Sequence, residues 1–205
     1  MNAARKTTKL LYGVGINDSG YVLTSHGVDG GKYRKTSICP FYQCWAGMIE
    51  RGYSQKTKAR CPSYKETTVC SEWLLFSNFK AWMQQQDWQG KHLDKDIIVE
   101  GNQVYSPDSC AFVSPALNNF CTDTKAKRGK WPIGVSWHKC TGRFNANCRN
   151  PFTRKKQYLG SFDCPDQAYQ AWKAYKHELA CQLADIQTDA RVAQALRVRY
   201  QPTAE

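Results

Sequence analysis

Residues 92–97 read His-Leu-Asp-Lys-Asp-Ile, and this is where hydrolytic chemistry could sit. A strand predicted over Leu93–Val99 alternates its side chains, so Asp94 and Asp96 share a face and His92 joins them. Gly101-Asn102 is a predicted turn, Cys110–Val113 a second strand, and Ser114-Pro115 the start of a short helix with Asn118 one turn in. Hairpin plus helix around one divalent ion is how small metal-dependent nucleases are built. The ion contacts the scissile phosphate and stabilises the leaving oxygen while a base activates water. Hard oxygen ligands such as Asp94, Asp96 and Asn118 suit Mg²⁺, or Mn²⁺ in its place. His92 is the candidate base. The same carboxylates also read as a solvated face or as salt-bridge partners of nearby lysines.

A second set of residues could bind rather than react. Strands are predicted at Gly134–Lys139, Arg143–Arg149 and Lys155–Phe162, with a turn at Cys140-Thr141-Gly142. Phe144, Ala146 and Cys148 point one way, as do Val135 and Trp137 on the first strand. The opposite face carries Ser136, His138, Arg143, Asn145, Asn147, Arg149, Lys156 and Tyr158. Arg and Asn side chains read guanine and adenine edges in the major groove, which admits a sheet ribbon. A solvated polar face is the alternative, as most half-buried antiparallel sheets have one. Charge favours the first reading, since residues 125–163 hold ten Lys or Arg and one acid.

Other elements must position these two sets. Cys39-Pro40 starts a helix with Tyr42, Trp45, Met48 and Ile49 as its stripe, closed at Arg51-Gly52. Short strand-like pieces precede it at Lys9–Ile16 and Tyr21–Ser25. Residues 53–66 read as a basic loop in which Lys56 and Lys58, with Arg51, could lie along phosphates, or simply be solvated. Thr67–Trp73 is strand-like, and a helix from Ser77 buries Phe79, Trp82 and Met83. After the third strand of the sheet, Pro165 suits the first position of a helix, capped by Asp163 or Cys164. Its stripe of Ala168, Ala171, Trp172, Tyr175, Leu179 and Leu183 covers the apolar sheet face. Residues beyond Leu183 extend it as a mostly polar tail.

The whole is an α+β chain. Its expected division is 1–121 for the strand–strand–helix unit, 122–131 for a basic linker, and 132–205 for a three-stranded antiparallel sheet packed on one helix. The chain has 205 residues, a net charge of +12 and a pI near 9.3, which points to a polyanionic partner, by default double-stranded DNA. No apolar run reaches the ~20 residues of a spanning helix, so no membrane partner is expected. The N-terminal stretch lacks the apolar core of a signal peptide, so a cytoplasmic location is expected. Ten cysteines without a Cys-x-x-Cys pair then read as reduced thiols. A structural zinc drawing on Cys39, Cys44, Cys61, Cys70 or Cys110 is open, but the spacings are irregular.

Two resemblances sharpen this. The segments IGVSWHKCTGRFNANCRN and YLGSFDCPDQAYQAW resemble the plant ethylene-response-factor (Apetala-two) DNA-binding domain, in the form found on mobile endonucleases of phages. That implies a sheet laid in the major groove, with Ser136, His138, Arg143, Asn147, Arg149, Lys156 and Tyr158 as contacts. Ser136, His138 and Asn147 stand where plant domains have more arginines, so no target sequence is implied. Residues 39–120 resemble the His-Asn-His (HNH) homing endonucleases of phages. The markers are Trp45-x-x-Met48-x-x-Arg51, Val69-Cys70-x-Glu72-Trp73, and Leu93-Asp94-x-x-Ile97 ahead of Tyr105-Ser106-Pro107-x-x-Cys110. The resemblance implies metal-dependent cleavage of duplex DNA. Lys95 stands where that family has its His base, and Ser109 where it has the middle Asn; only Asn118 keeps the ligand type. A DNA-binding protein with a degenerate, inactive centre is therefore the alternative. A protein that blocks a host factor with the same basic surface is a third reading.

Overall fold

The computed structural model describes residues 10–29, 32–122 and 130–201. They form two compact units, one within Met1–Asp96 and Gly101–Phe112, the other within Ile97–Glu100 and Val113–Glu205. Both mix helix and strand.

The first unit opens with an antiparallel pair, β1 (Thr24–Asp29) and β2 (Lys32–Ile38). Of the expected strand Lys9–Ile16, Lys9 lies outside the described residues, and residues 10–16 form instead a tight turn closed by a bridge between Leu11 and Gly15. Helix α1 runs from Pro40 to Tyr53 with Pro in its first turn, where a missing N–H costs nothing. Trp45, Met48, Ile49 and Gly52 are its buried positions, one helical face. The Trp45 indole N–H donates to the Trp73 carbonyl at 2.7 Å, so a polar atom in a fully buried side chain is satisfied. Trp73 lies in a 3₁₀ turn over Ser71–Leu74, and α3 (Phe76–Gln84) buries Phe76, Phe79 and Met83 around it.

Two expectations about this unit are corrected. The basic stretch 53–66 is not a loop: α2 spans Gln55–Arg60, because Ser54 Oγ accepts from the Thr57 N–H at 3.3 Å and caps it. The strand expected over Thr67–Trp73 shrinks to β3 (Thr68–Val69), which pairs in parallel with β5 (Val104–Tyr105). Between them lies β4 (His92–Asp94), paired with β6 (Ala111–Val113).

In the second unit, α4 (Pro115–Cys121) starts as expected: Ser114 Oγ accepts from the Leu117 N–H at 3.2 Å and Pro115 takes the first turn. The division into units falls ahead of this helix, which therefore lies outside the first unit rather than within the expected domain 1–121. Most of the expected linker, 123–129, lies outside the described residues. Then follow β7 (Val135–His138), β8 (Arg143–Arg149) and β9 (Lys156–Phe162), an antiparallel sheet in the order β7-β8-β9. Helix α5 (Pro165–Asp185) covers one side, with Ala168, Trp172, Leu179 and Leu183 buried. The expected polar tail is a separate helix, α6 (Ala190–Arg199). Asp189 caps it through the Arg191 N–H at 2.9 Å, and Val192 and Leu196 are buried.

Gly134 begins the sheet with φ +81°, and a Cβ there would lie 2.0 Å from Cδ1 of the Trp172 indole. Both the backbone and the packing require glycine. Gly134→Ala is therefore expected to destabilise the protein by about 3 kcal/mol, read as a lower urea midpoint by tryptophan fluorescence.

Candidate nucleic-acid interface

The sheet has one apolar and one polar side, and the register sets which residue neighbours which. Along β8, Phe144, Ala146 and Cys148 are buried, while Asn145, Asn147 and Arg149 face the other way. Ser136 pairs with Asn145 and His138 with Arg143. On the other edge, Asn147 pairs with Tyr158 and Arg149 with Lys156. Directly paired residues share a face, so all eight side chains expected on the polar side lie on it. Arg149, Lys156, Tyr158, Ser136 and His138 are exposed.

A β-bulge interrupts the pairing. Ala146 pairs with Gly160 and Asn147 with Tyr158, so Leu159 is the extra residue. Leu159 turns to the apolar cluster of Phe144, Ala146 and Ala168. The frame of β9 shifts by one beyond it. Ser161 thereby pairs with Asn145 and completes a row, Ser136–Asn145–Ser161, across the polar face. Simple alternation from Lys156 sends Ser161 inward; the Leu159-Gly160 pair was the one hint of the shift. Gly160 has φ +135° and is needed there.

Two members of the face are held from the side. His138 Nδ1 lies 2.9 Å from Thr141 Oγ1 in the β7–β8 turn, which orients the imidazole. Arg143 Nη2 donates to Asp163 Oδ2 at 3.2 Å, and its Nε sits 2.9 Å from Oδ1. Arg143 thus meets the one acid in the basic stretch. An exposed pair of this kind holds a side chain in place more than it stabilises the fold. Trp137 departs from expectation. It lies on the Phe144 side and packs on that ring at 4.8 Å, yet is 43% exposed.

The candidate phosphate contacts in the first unit divide three ways. Lys56 is exposed on α2. The Lys58 Nζ donates to the carbonyls of Lys65 at 3.0 Å and Thr67 at 3.1 Å, so it ties down the segment after α2. Arg51 lies over the Tyr105 ring at 5.4 Å with its Nε buried and unbonded.

The carboxylates stand differently from expectation. β4 ends at Asp94, so Asp96 does not alternate with it on a strand. Asp94 Oδ1 accepts from the Asp96 N–H at 2.9 Å, an Asx turn that ends the strand. Asp96 Oδ2 lies 3.2 Å from Nζ of Lys95, which is 6% exposed and also donates to the Asn102 carbonyl at 2.7 Å. His92 is exposed at the start of β4. Ser109, at the middle position of the resemblance, donates to the Val104 carbonyl at 2.9 Å and shapes the turn after β5. Asn118 is half-buried on α4 in the second unit.

Among the described residues no three His, Cys, Asp or Glu side chains converge as a metal group. All ten cysteines are thiols without disulfides. Burial pushes the Cys110 thiol up to about 12 and the Cys44 thiol up to about 11. Thiols held in the neutral form make poor zinc ligands, since zinc takes thiolate. Comparison with family models, curated proteins and solved structures finds no match to this chain.

These thiols give a direct check. In the folded protein at pH 8, Cys44 and Cys110 should resist alkylation while exposed Cys140 reacts first. Mass-spectrometric mapping of time-resolved labelling reads this, and denaturant should make all ten reactive.

Proposed function

We propose that this protein binds duplex DNA through the polar face of the β7–β8–β9 sheet, and that residues 39–120 are an HNH-type endonuclease region acting on the DNA so held. The observation that carries the reading is that face: a row of amides, hydroxyls and cations in one register, on a sheet whose other side α5 covers. Arg149 and Lys156 form one cross-strand pair of cations, and Asn147 and Tyr158 the next. The side chains suit base edges and phosphates together, and the net charge of +12 suits the polyanion. The second observation is that β4 pairs with β6 and that α4 follows β6 in the chain, with Asp94 at the end of β4.

In the hydrolytic part, Asp94 and Asp96 would hold Mg²⁺ or Mn²⁺, which would supply positive charge to the phosphate oxygens as the bond breaks. Asn118 is the helix residue named by the resemblance. Arg51 and Lys56 would hold phosphates, and exposed His92 is the side chain able to take a proton from water. Lys95 favours the alternative, a DNA-binding protein with an inactive centre. It is a buried cation where the resemblance expects a base, it pairs with Asp96, and a protonated amine accepts no proton.

The deciding experiment incubates supercoiled plasmid with Mg²⁺, with Mn²⁺ or with EDTA. Nicking that needs metal and disappears in an Asp94→Ala/Asp96→Ala variant is expected of a nuclease. Intact plasmid with a salt-sensitive mobility shift favours the inactive centre. In either case Arg149→Ala should weaken DNA binding by about 1–3 kcal/mol. Affinity should also fall linearly in log–log plots against salt, as counterions are released. Unchanged affinity of the Arg149 variant would remove the sheet-face assignment.

A further inference from the structure

Lys176 is a lysine where the fold calls for an apolar residue. It lies on the buried side of α5, one turn after Trp172, and is 8% exposed. Its Nζ donates to the Phe120 carbonyl at 2.7 Å. Phe120 is the penultimate residue of α4, so the ammonium sits on the last carbonyls of that helix, at the negative end of its dipole. The same nitrogen is 3.3 Å from the centroid of the Phe120 ring, 5.4 Å from Tyr200 and 5.8 Å from Trp172. Phe120 and Trp172 each meet Tyr200 edge-on, at 5.9 and 6.2 Å, so the rings form one cage. The titratable neighbours are Cys148 of β8 and Cys121 of α4, which favour the cation, and Arg199 of α6, which opposes it. Arg199 itself lies 3.6 Å from a Glu100 carboxylate. Burial pulls the Lys176 amine below its ordinary value.

A buried ammonium held by a carbonyl and rings rather than by a carboxylate is costly. An unbranched apolar side chain of similar length would fill the space with no charge to desolvate. What the lysine supplies and methionine does not is a directed bond to one carbonyl of α4. Its helix, α5, is also the one whose Trp172 lies beside Cys148, underneath Asn147 and Arg149 of the polar face.

We infer that Lys176 is a positioning residue that anchors the C-terminal end of α4 to α5, so that α4, with Asn118, is carried as a rigid part of the sheet unit. The anchor itself stands on the geometry of the second unit alone; its use in cleavage rests on the nuclease reading above. Under that reading the Asn118 helix keeps its place on α5, the helix that covers the other side of the DNA-reading sheet.

Hydrogen exchange of the whole protein without DNA tests this, comparing wild type with Lys176→Met and Lys176→Arg. In the methionine variant, protection over residues 115–122 should fall about tenfold, as expected for loss of a charge-assisted bond, while β8 and α5 keep theirs and the melting temperature holds or rises. The arginine variant keeps a cation and should restore most of that protection. Unchanged protection of α4 in the methionine variant overturns the inference. So does an even loss across the unit with a lower melting temperature, which would mark Lys176 as core packing alone. Since exchange is read without DNA or metal, wild-type protein that neither binds nor cuts DNA would remove the functional reading, and the exchange result would still decide the anchor.

Discussion

The Trp172 indole lies against bare backbone at Gly134, and the second unit is arranged around that contact. It brings α5 close enough to the sheet to bury Phe144, Ala146 and Cys148 on one side. A three-stranded sheet has two faces, and one helix covers only one of them. The uncovered face must then be polar, and its identity follows from strand parity. Ser136, Asn145, Asn147 and Arg149 are presented because their neighbours in the chain are the residues that Trp172 and Ala168 bury. Packing on one side and the display of polar side chains on the other are thus the same constraint seen from two directions.

The first unit depends on a different kind of contact. Aromatic rings dominate it: Trp45, Trp73, Phe76 and Phe79 are nearly fully buried, with Trp73 and Phe79 edge-to-face at 5.1 Å. Its strands are only two or three residues long outside the β1–β2 pair, too short to specify a sheet by themselves. Side-chain bonds to backbone do that work instead. Asn102 Nδ2 donates to the carbonyls of Lys95 at 2.6 Å and Val104 at 2.7 Å, Lys95 returns a bond to Asn102, and Lys58 gathers two carbonyls near β3. Lysines in this protein are therefore divided between display and construction. Lys156 is exposed on the polar face, while Lys58, Lys95 and Lys176 spend their charge on carbonyl oxygens. A count of basic residues overstates how many are available to a phosphate.

Long periodic elements were legible in the residues. The three strands of the C-terminal sheet, the Pro-led starts of α1, α4 and α5, and the apolar stripe of α5 fall where alternation, capping and helical spacing put them. All eight polar-face side chains share a side because period two leaves no other choice once Phe144, Ala146 and Cys148 are buried. Short elements were legible only in part: β6 and α4 fall near their expected places, but others do not. Leu93–Val99 has the composition of a strand, but the Asp94 carboxylate captures the Asp96 N–H and ends it after three residues. Residues 55–60 look like a solvated loop, yet a single capping serine makes them a helix.

By itself the sequence determined the α+β class, the antiparallel sheet with its helix, and the chemical character of the exposed face, because each is a local periodicity repeated over enough residues to outweigh its exceptions. Tertiary structure alone decided where Ser161 points, since one bulge residue shifts the frame of β9. It alone decided that α4 sits with the sheet unit, where the Phe120 carbonyl meets a lysine 56 positions further along the chain. It also decided that Asp94 and Asp96 leave a turn rather than a strand. Such outcomes rest on single contacts between residues that no pattern in the chain connects.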